Sequence, residues 1–574
     1  MEKYKKLLLA VVVLLTGCTK SYLDINTDPN NPSKATLGLL LTHVEKGIAD
    51  NLSVNGGLTN ITAVYMHQMT TRENPDQYGI TGGSFYTSSP WDGLYANPLQ
   101  DLELMINQAS ADQNVTYSGI AKILKAYTFS QMVDIWGDVP FTQANKLSST
   151  SKIAYPVWDS SSSIYTALFA MLDDALADLT NTTASNKVIP GSEDVIYGGD
   201  KAKWIRAANT IKLKLYNQVR LVQNVSAQVT ALNVAGKLIN SGEDFEFPYN
   251  IKSNPDERNP GFLDYEAGQR GYYMSPWMYR ILKGQNTSIL TNIKDPRLPY
   301  YYYNQMTATS STREGNPTEY RDGGFVSIWF GSISKNRDHA TDGTMTVFGV
   351  YPVGGRYDDG GAIKVTGTAG TGAAPYRFIT YADRLYIQAE LANAGLIPEA
   401  APTTYFQLAV EASFKQVDHV VTLVNPASAS VKQTAPPVMW DPTAVVPTPP
   451  ALPTTTAGFV KKYITDVMGL YTAASATKKL EYIMTEKWIS QFGCNVDTWA
   501  DYRRTKYPVV FNPLDLSMFP GGQIVSPFDG FVIPVTLTNP VPWTVVWPIS
   551  DLSINPNAPA QKDPSTFKVF YDIH

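Results

Sequence analysis

Cysteine is almost missing from this sequence. The 574 residues include two, Cys18 and Cys494. Their separation excludes a zinc knuckle or a Cys-x-x-Cys redox pair. Charge is scarce as well: Asp, Glu, Lys and Arg make up 17% of the chain, against about a quarter in ordinary globular domains. The balance is mildly acidic, with a formal net charge of −5. Beyond Lys3, Lys5 and Lys6 no basic run occurs, so the electrostatic footprint of a nucleic-acid binder is lacking. The histidines are His43, His67, His339, His419 and His574. No two of them stand at helical ligand spacing, which leaves a metal site without local support. His-Glu-x-x-His, Gly-x-Ser-x-Gly and P-loop patterns are absent. The glycines Gly367, Gly370 and Gly372 lack the spacing and the strand–helix context of a dinucleotide site. Adjacent acids occur at Asp173-Asp174 and Asp358-Asp359, but neighbours in a chain rarely face each other across a glycosidic bond. The first pair reads as a solvated helix face and the second as a turn. These absences argue for a protein that is not an enzyme and that carries no cofactor or metal.

What is present begins at the N-terminus. Lys3, Lys5 and Lys6 precede an apolar run, Leu7 through Leu15, which is too short to span a bilayer. It ends in Leu15-Thr16-Gly17-Cys18. This resembles a bacterial lipobox, which implies removal of residues 1–17 as a signal peptide and lipidation of Cys18. Several acyl chains anchor stably where one does not. After Cys18 no uncharged apolar run approaches the 18 or so residues of a membrane span. Residues 18–36 are rich in Asn, Asp, Pro and Ser, the chemistry of turns and tethers. With Cys18 modified, Cys494 stands alone, and its setting after Trp488, Ile489 and Phe492 reads as a buried helix end.

Apolar spacing predicts helices over 37–50, 94–109, 118–136, 159–179, 200–221, 381–394, 404–414, 459–470 and 477–492. In the third, Ile120, Ile123, Leu124 and Tyr127 fall on one face, and Gly137 and Pro140 end it. Asp200 is placed to cap the helix that follows it. The helices come in adjacent couples joined by short polar turns, the organisation of tetratricopeptide-like hairpins. The fold expected is mostly α, a helical-hairpin scaffold forming one domain over 37–574. Three stretches break the pattern. Residues 241–378 are rich in Gly, Tyr, Asn and Asp; 425–456 carry eight prolines, including Pro436, Pro437, Pro442 and Pro453; and 509–547 are irregular and apolar. Dense proline excludes helix and central strand. Long irregular segments on a rigid scaffold are where binding surfaces usually sit.

Several blocks carry a resemblance. They are Tyr22-Leu23-Asp24-Ile25-Asn26-Thr27-Asp28-Pro29, Asp134-Ile135-Trp136-Gly137-Asp138-Val139-Pro140-Phe141, Tyr155-Pro156 with Ile164-Tyr165, and Lys203-Trp204-Ile205-Arg206-Ala207-Ala208-Asn209. Downstream stand Asp295-Pro296-Arg297-Leu298-Pro299-Tyr300, Glu486-Lys487-Trp488-Ile489 and Trp499-Ala500-Asp501-Tyr502-Arg503-Arg504. Their order along the chain resembles the SusD/RagB surface lipoproteins, in the SusD-like branch. The resemblance implies a helical fold with four tetratricopeptide-like hairpins and attachment to an outer membrane, facing the cell exterior. It also implies a partner, a SusC-like TonB-dependent transporter that imports the oligosaccharide or peptide which the lipoprotein captures. A surface-anchored hydrolase with an unrecognised carboxylate pair and a structural or adhesion lipoprotein are the alternatives.

A binding site of this kind needs aromatic platforms and a few hydrogen-bonding groups. Excess tyrosine, 34 residues against 21 Phe, suits it, because the ring is flat and apolar while the hydroxyl is polar. The candidates are loop aromatics beside polar residues. One cluster is Arg72, Asn74, Asp76, Tyr78, Phe85, Tyr86 and Trp91. A second is Arg270, Tyr272, Tyr273 and Trp277. The third is Trp329 with Lys335 and Asn336. Trp136, Trp204 and Trp488 lie among apolar helix residues and are assigned to packing, and Arg503 and Arg504 to structural ion pairing.

Overall fold

The computed structural model describes residues 35–71, 78–79, 85–147, 151–266, 272–310, 320–334, 343–398, 401–425, 435–446, 448, 451–494 and 496–574. Cys18, Arg72, Asn74, Asp76, Arg270, Lys335 and Asn336 lie outside the described residues, as do the side chains of Phe85 and Tyr86. The principal helices are α1 (Leu37–Leu52), α2 (Phe85–Leu94), α3 (Gln100–Ala111), α4 (Val115–Trp136), α5 (Ser161–Thr180) and α6 (Lys201–Val219). The later ones are α7 (Tyr381–Asn393), α8 (Pro402–Val424), α9 (Thr456–Ala473), α10 (Ala476–Ser490), α11 (Val496–Thr505) and α12 (Ile549–Ile554).

Local chemistry fixes their starts. The Ser160 hydroxyl accepts from the Ser163 N–H, and the Asp200 carboxylate accepts from Ala202 and Lys203. Thr380 and Asp383 form a reciprocal capping box, and Thr455 and Ser475 cap α9 and α10. Each such cap satisfies backbone donors that a helix cannot satisfy itself, typically for about 1 kcal/mol. Asp159, expected inside α5, instead sits in a two-residue strand paired with Val139 and accepts from the Phe141 and Thr142 N–H groups. The helix therefore begins two residues later. α8 runs ten residues beyond the expected end at Phe414, because Val417, Val420 and Val424 continue its buried face.

Helices pair as hairpins: α4 lies along α5, α7 along α8, and α9 packs on α8 and α10. α10 returns to α7. The sequence showed one apolar face on α4, yet all of it except Val115, Lys122 and Lys125 is buried. Such a helix is the centre of its layer. Its two lysines reach sideways, Lys122 to Asp178 and Lys125 to Glu103. Sheet structure among the described residues is confined to five two-stranded pairs, Met69–Thr71 with Tyr272–Met274 among them. No helix is long and apolar enough to cross a membrane among the described residues.

The sequence blocks from Asp134 onward supply polar joints of this core. Asp134 accepts from the hydroxyls of Tyr165 at 2.6 Å and Tyr571 at 2.5 Å. Asp138 accepts from the Ser161 N–H, and its carbonyl accepts from the Trp547 indole. Between them Gly137 takes φ 73°, ψ −114°, a conformation open essentially to glycine alone. Arg297, fully buried, grips Asp295 in bidentate fashion and reaches Glu486 at 2.8 Å. Arg504 joins Glu390 and Asp501, Arg220 joins Glu390, and Lys487 joins Asp501. Arg503 donates to the backbone carbonyls of Asp134 and Trp543. Trp136, Trp204 and Trp488 are buried, and Cys494 is a buried free thiol whose ionisation is pushed up by burial.

Candidate functional site

Two open clefts flank α12. The first, of about 500 Å³, falls in the range of about 300–1,000 Å³ typical of small-ligand pockets. One wall comes from α2 and the chain after it. There Pro98 lies within a helical turn of i→i+5 type over Tyr95–Leu99, and proline's missing N–H favours such an irregularity. This turn places Tyr95, half-buried, at the cleft. Its hydroxyl donates to the Pro140 carbonyl at 2.6 Å, and its own carbonyl accepts from the Asn145 amide at 2.8 Å. The opposite wall is the 143–156 loop, with Gln143, Asn145, Lys146, Leu147, Ile153 and Pro156. Leu147 is 63% exposed. Behind the cleft four indoles pack together: Trp91 meets Trp136 edge-on at 5.1 Å and lies nearly parallel to Trp158 at 6.3 Å, and Trp158 meets Trp547. Rings held this way give a rigid wall.

Two carboxylates, Asp92 and Asp551, also line it. Burial raises the pKa of Asp551, and the charge of Asp92 adds to this, while a hydrogen bond from Trp91 opposes it. Burial likewise raises Asp92. The second cleft, of about 700 Å³, is walled by Tyr78, Pro540, Pro542, Pro559 and Pro564, with Val546 and Leu552 as apolar surface and Asn539, Gln561 and Ser565 as polar edges. Gln561 is locked by two hydrogen bonds to the Trp547 backbone.

Of the aromatics singled out in the sequence, Tyr78 and Trp91 line these clefts. Tyr78 bonds His67 through its hydroxyl at 2.8 Å; burial drives His67 down to about 3, so it stays neutral. The others are corrected. Trp277 and Trp329 are each 1% exposed, and both pack on Phe511. Tyr273 sits in a small core with Val326, Ile328 and Met345. Tyr272 is half-buried and its hydroxyl accepts from Asn60. A ring enclosed on both faces offers no platform to a sugar, so Tyr273, Trp277 and Trp329 pack the core, while Tyr272 stays half-buried. Tyr95, Gln143, Asn145 and Asp551 were not legible as a site, because they come from three separate segments. The helix-interior Pro98 was the one local signal.

A family model described as starch-binding, associating with the outer membrane, matches residues 29–525. Among solved structures, a chitin-binding protein is similar at 18% identity and TM-score 0.64, over 94% of this chain and 100% of that one. A SusD homologue from Bacteroides fragilis is similar at 17% identity and TM-score 0.60, over 91% and 94%. A SusD/RagB family protein from Bacteroides thetaiotaomicron is similar at 19% identity and TM-score 0.61, over 91% and 95%. No curated protein matches the chain in sequence.

Proposed function

Because this chain belongs to the SusD-like family of outer-membrane-associated proteins, we propose that it is a non-catalytic, lipid-anchored binding protein which captures an oligosaccharide at the cell surface and hands it to a TonB-dependent transporter. The observation that carries the reading is the first cleft. It combines the edge of a half-buried tyrosine, a rigid indole wall and side-chain amides at one opening. Aromatic faces stack on the C–H surfaces of sugars, and amides and carboxylates take their hydroxyls. A glycan is favoured over a peptide because the family is described as starch-binding. Cys18 supplies the anchor, and residues 18–36 the tether that holds the binding face clear of the bilayer.

The test is calorimetric titration of the mature chain, with Cys18 replaced, against a panel of oligosaccharides. Binding that falls at least tenfold in Tyr95→Ala and in Gln143→Ala supports the cleft as the site. If both variants bind like the wild type, the cleft is not the site. If the wild type binds no glycan, and no transporter co-purifies with the lipidated form, the whole reading falls. The Asp92–Asp551 pair favours one second reading, hydrolysis, since burial raises both carboxyls and a raised carboxyl is the kind that serves as a general acid. Release of new reducing ends from polysaccharide by the pure protein, abolished in Asp551→Asn, would replace binding with catalysis.

A further inference from the structure

Away from both clefts, Asp244, Glu246 and His419 bring one ligand atom each to within 4.8 Å of one another. Strand alternation accounts for half of this. Phe245 and Phe247 turn into the core, so residues 244 and 246 share the other face of the strand Phe245–Phe247. The helix α8 supplies the rest. His419 and Gln416, three residues apart, lie on one side of it. A ring nitrogen of His419 stands 2.6 Å from one Glu246 oxygen, and the Gln416 amide donates to the other at 3.3 Å. The Tyr381 N–H, at the start of α7, donates to Asp244 at 2.5 Å.

His419 pairs with Glu246, but among the described residues no Lys or Arg stands within ion-pair distance of Asp244 or Glu246. Arg377, directly across the strand pair from Glu246, turns its guanidinium to the carbonyls of Tyr351 and Phe492. Lys203 and Lys415 line the adjoining cavities without pairing to either carboxylate. Space is present too. A cavity of about 150 Å³ opens on all three side chains, and one of about 160 Å³ opens on Asp244 and His419 from the other side. His419 is 42% exposed, so an ion has a path from solvent.

We propose that Asp244, Glu246 and His419 bind a divalent transition-metal ion of the zinc class, with water from the two cavities filling the remaining positions. An imidazole with two carboxylates is a donor set for zinc-like ions, whereas calcium takes oxygen ligands throughout. Metal–ligand bonds of about 2.0–2.2 Å put ligand atoms roughly 3.5 Å apart. The three ligand atoms already lie within 4.8 Å of one another, so binding draws them together only slightly. The bound ion fastens the strand that opens the irregular region to the α7–α8 hairpin.

The experiment strips the full mature chain with chelator and titrates it with Zn²⁺ alone and with Co²⁺ alone. One equivalent of Zn²⁺ is expected, together with visible Co²⁺ bands. Both should weaken at least tenfold in Glu246→Gln and in His419→Gln, and stay unchanged in His43→Ala, which alters the exposed His43–Asp101 pair. A wild type that takes up no stoichiometric metal overturns the proposal. So does binding that survives both cluster variants or is lost in His43→Ala. A readout that needs no variant is modification of His419 by diethylpyrocarbonate, followed by mass spectrometry. Zn²⁺ should protect His419, and labelling unaffected by Zn²⁺ refutes the site.

Discussion

Replacing Glu390 by Gln tests whether the sequence blocks are structural joints. Glu390 is fully buried and holds Arg504 and Arg220 at once, with Asp501 and Lys487 completing the cluster. Burial opposes its ionisation, but the attraction of Arg504 and Arg220 more than offsets this, so its carboxylate stays charged well below the ordinary range. The amide keeps the shape and removes the charge. Arg504, with none of its side chain exposed, then retains Asp501 as its one carboxylate, beside a hydrogen bond to Gln218. Breaking one side of a buried pair costs about 3–5 kcal/mol. Unfolding entropy of about 2.1 cal/mol/K per residue gives roughly 1 kcal/mol/K over the about 490 described residues. The thermal midpoint should therefore fall by about 3–5 °C, read by scanning calorimetry at pH 7. The sign with pH follows from the depressed folded-state value. The stabilisation by Glu390 is complete above the unfolded value of 4.5 and is lost as pH falls towards the folded one. The gap between Glu390→Gln and wild type should be full at pH 7 and narrow at pH 4. An apolar double replacement, Glu390→Leu with Arg504→Met, should recover part of the loss. A midpoint for Glu390→Gln within 1 °C of wild type at pH 7 would refute the reasoning.

Other consequences follow from the same geometry. Gly137→Ala places a Cβ 2.7 Å from the Phe567 ring at a φ of +73°, and should cost about 2–3 kcal/mol, measured by chemical denaturation. Asp358 is raised to about 6 by burial, against hydrogen bonds from Gly360 and Asn304. The folded state therefore keeps a proton that the unfolded chain releases from pH 3.8 upward, and this residue's contribution to stability falls as pH rises through about 4–6. Asp358→Asn should gain on the order of 1 kcal/mol at pH 7.5 and nothing at pH 4. Cys494 is buried and its thiol is pushed up, so a maleimide should label it only after unfolding; rapid labelling of native protein would contradict this burial. Leu147→Asp, at the exposed lip of the first cleft, should leave the melting midpoint within 1 °C and change glycan affinity, as titration will report.

The helical scaffold was legible because periodicity and caps are local. Asp200 and its helix, and the couple α7–α8, could be read within windows of twenty residues. The ligand wall was not legible, because its parts are far apart in sequence. Tyr95, Asn145 and Asp551 meet only after three segments close on one another. Trp277 and Trp329 were misread for a related reason. Each stands near Gly and polar neighbours, which suggests a surface loop. Their covering rings, Phe511 and Phe519, arrive from the distant segment after α11. The stretch that looked like an added binding surface thus supplies part of a core. The cluster of Asp244, Glu246 and His419 escaped notice similarly, since a search for close histidine spacing cannot see a ligand set shared by a strand and a remote helix.

This division says where substitutions can be tolerated. Asp134, Arg297, Glu390 and Arg504 are enclosed charges whose partners come from elements far apart in the chain: Asp134 is held by Tyr571, and Glu390 by Arg504. Changing one leaves an uncompensated buried charge, so the blocks behave as all-or-none sets. The cleft walls hold no such buried ion pair, though Asn145 joins them through the Tyr95 carbonyl. Gln143, Lys146 and Leu147 sit on a loop whose side chains can change without stranding a buried group. The likeness of fold to solved structures at 17–19% identity is compatible with a scaffold of this kind.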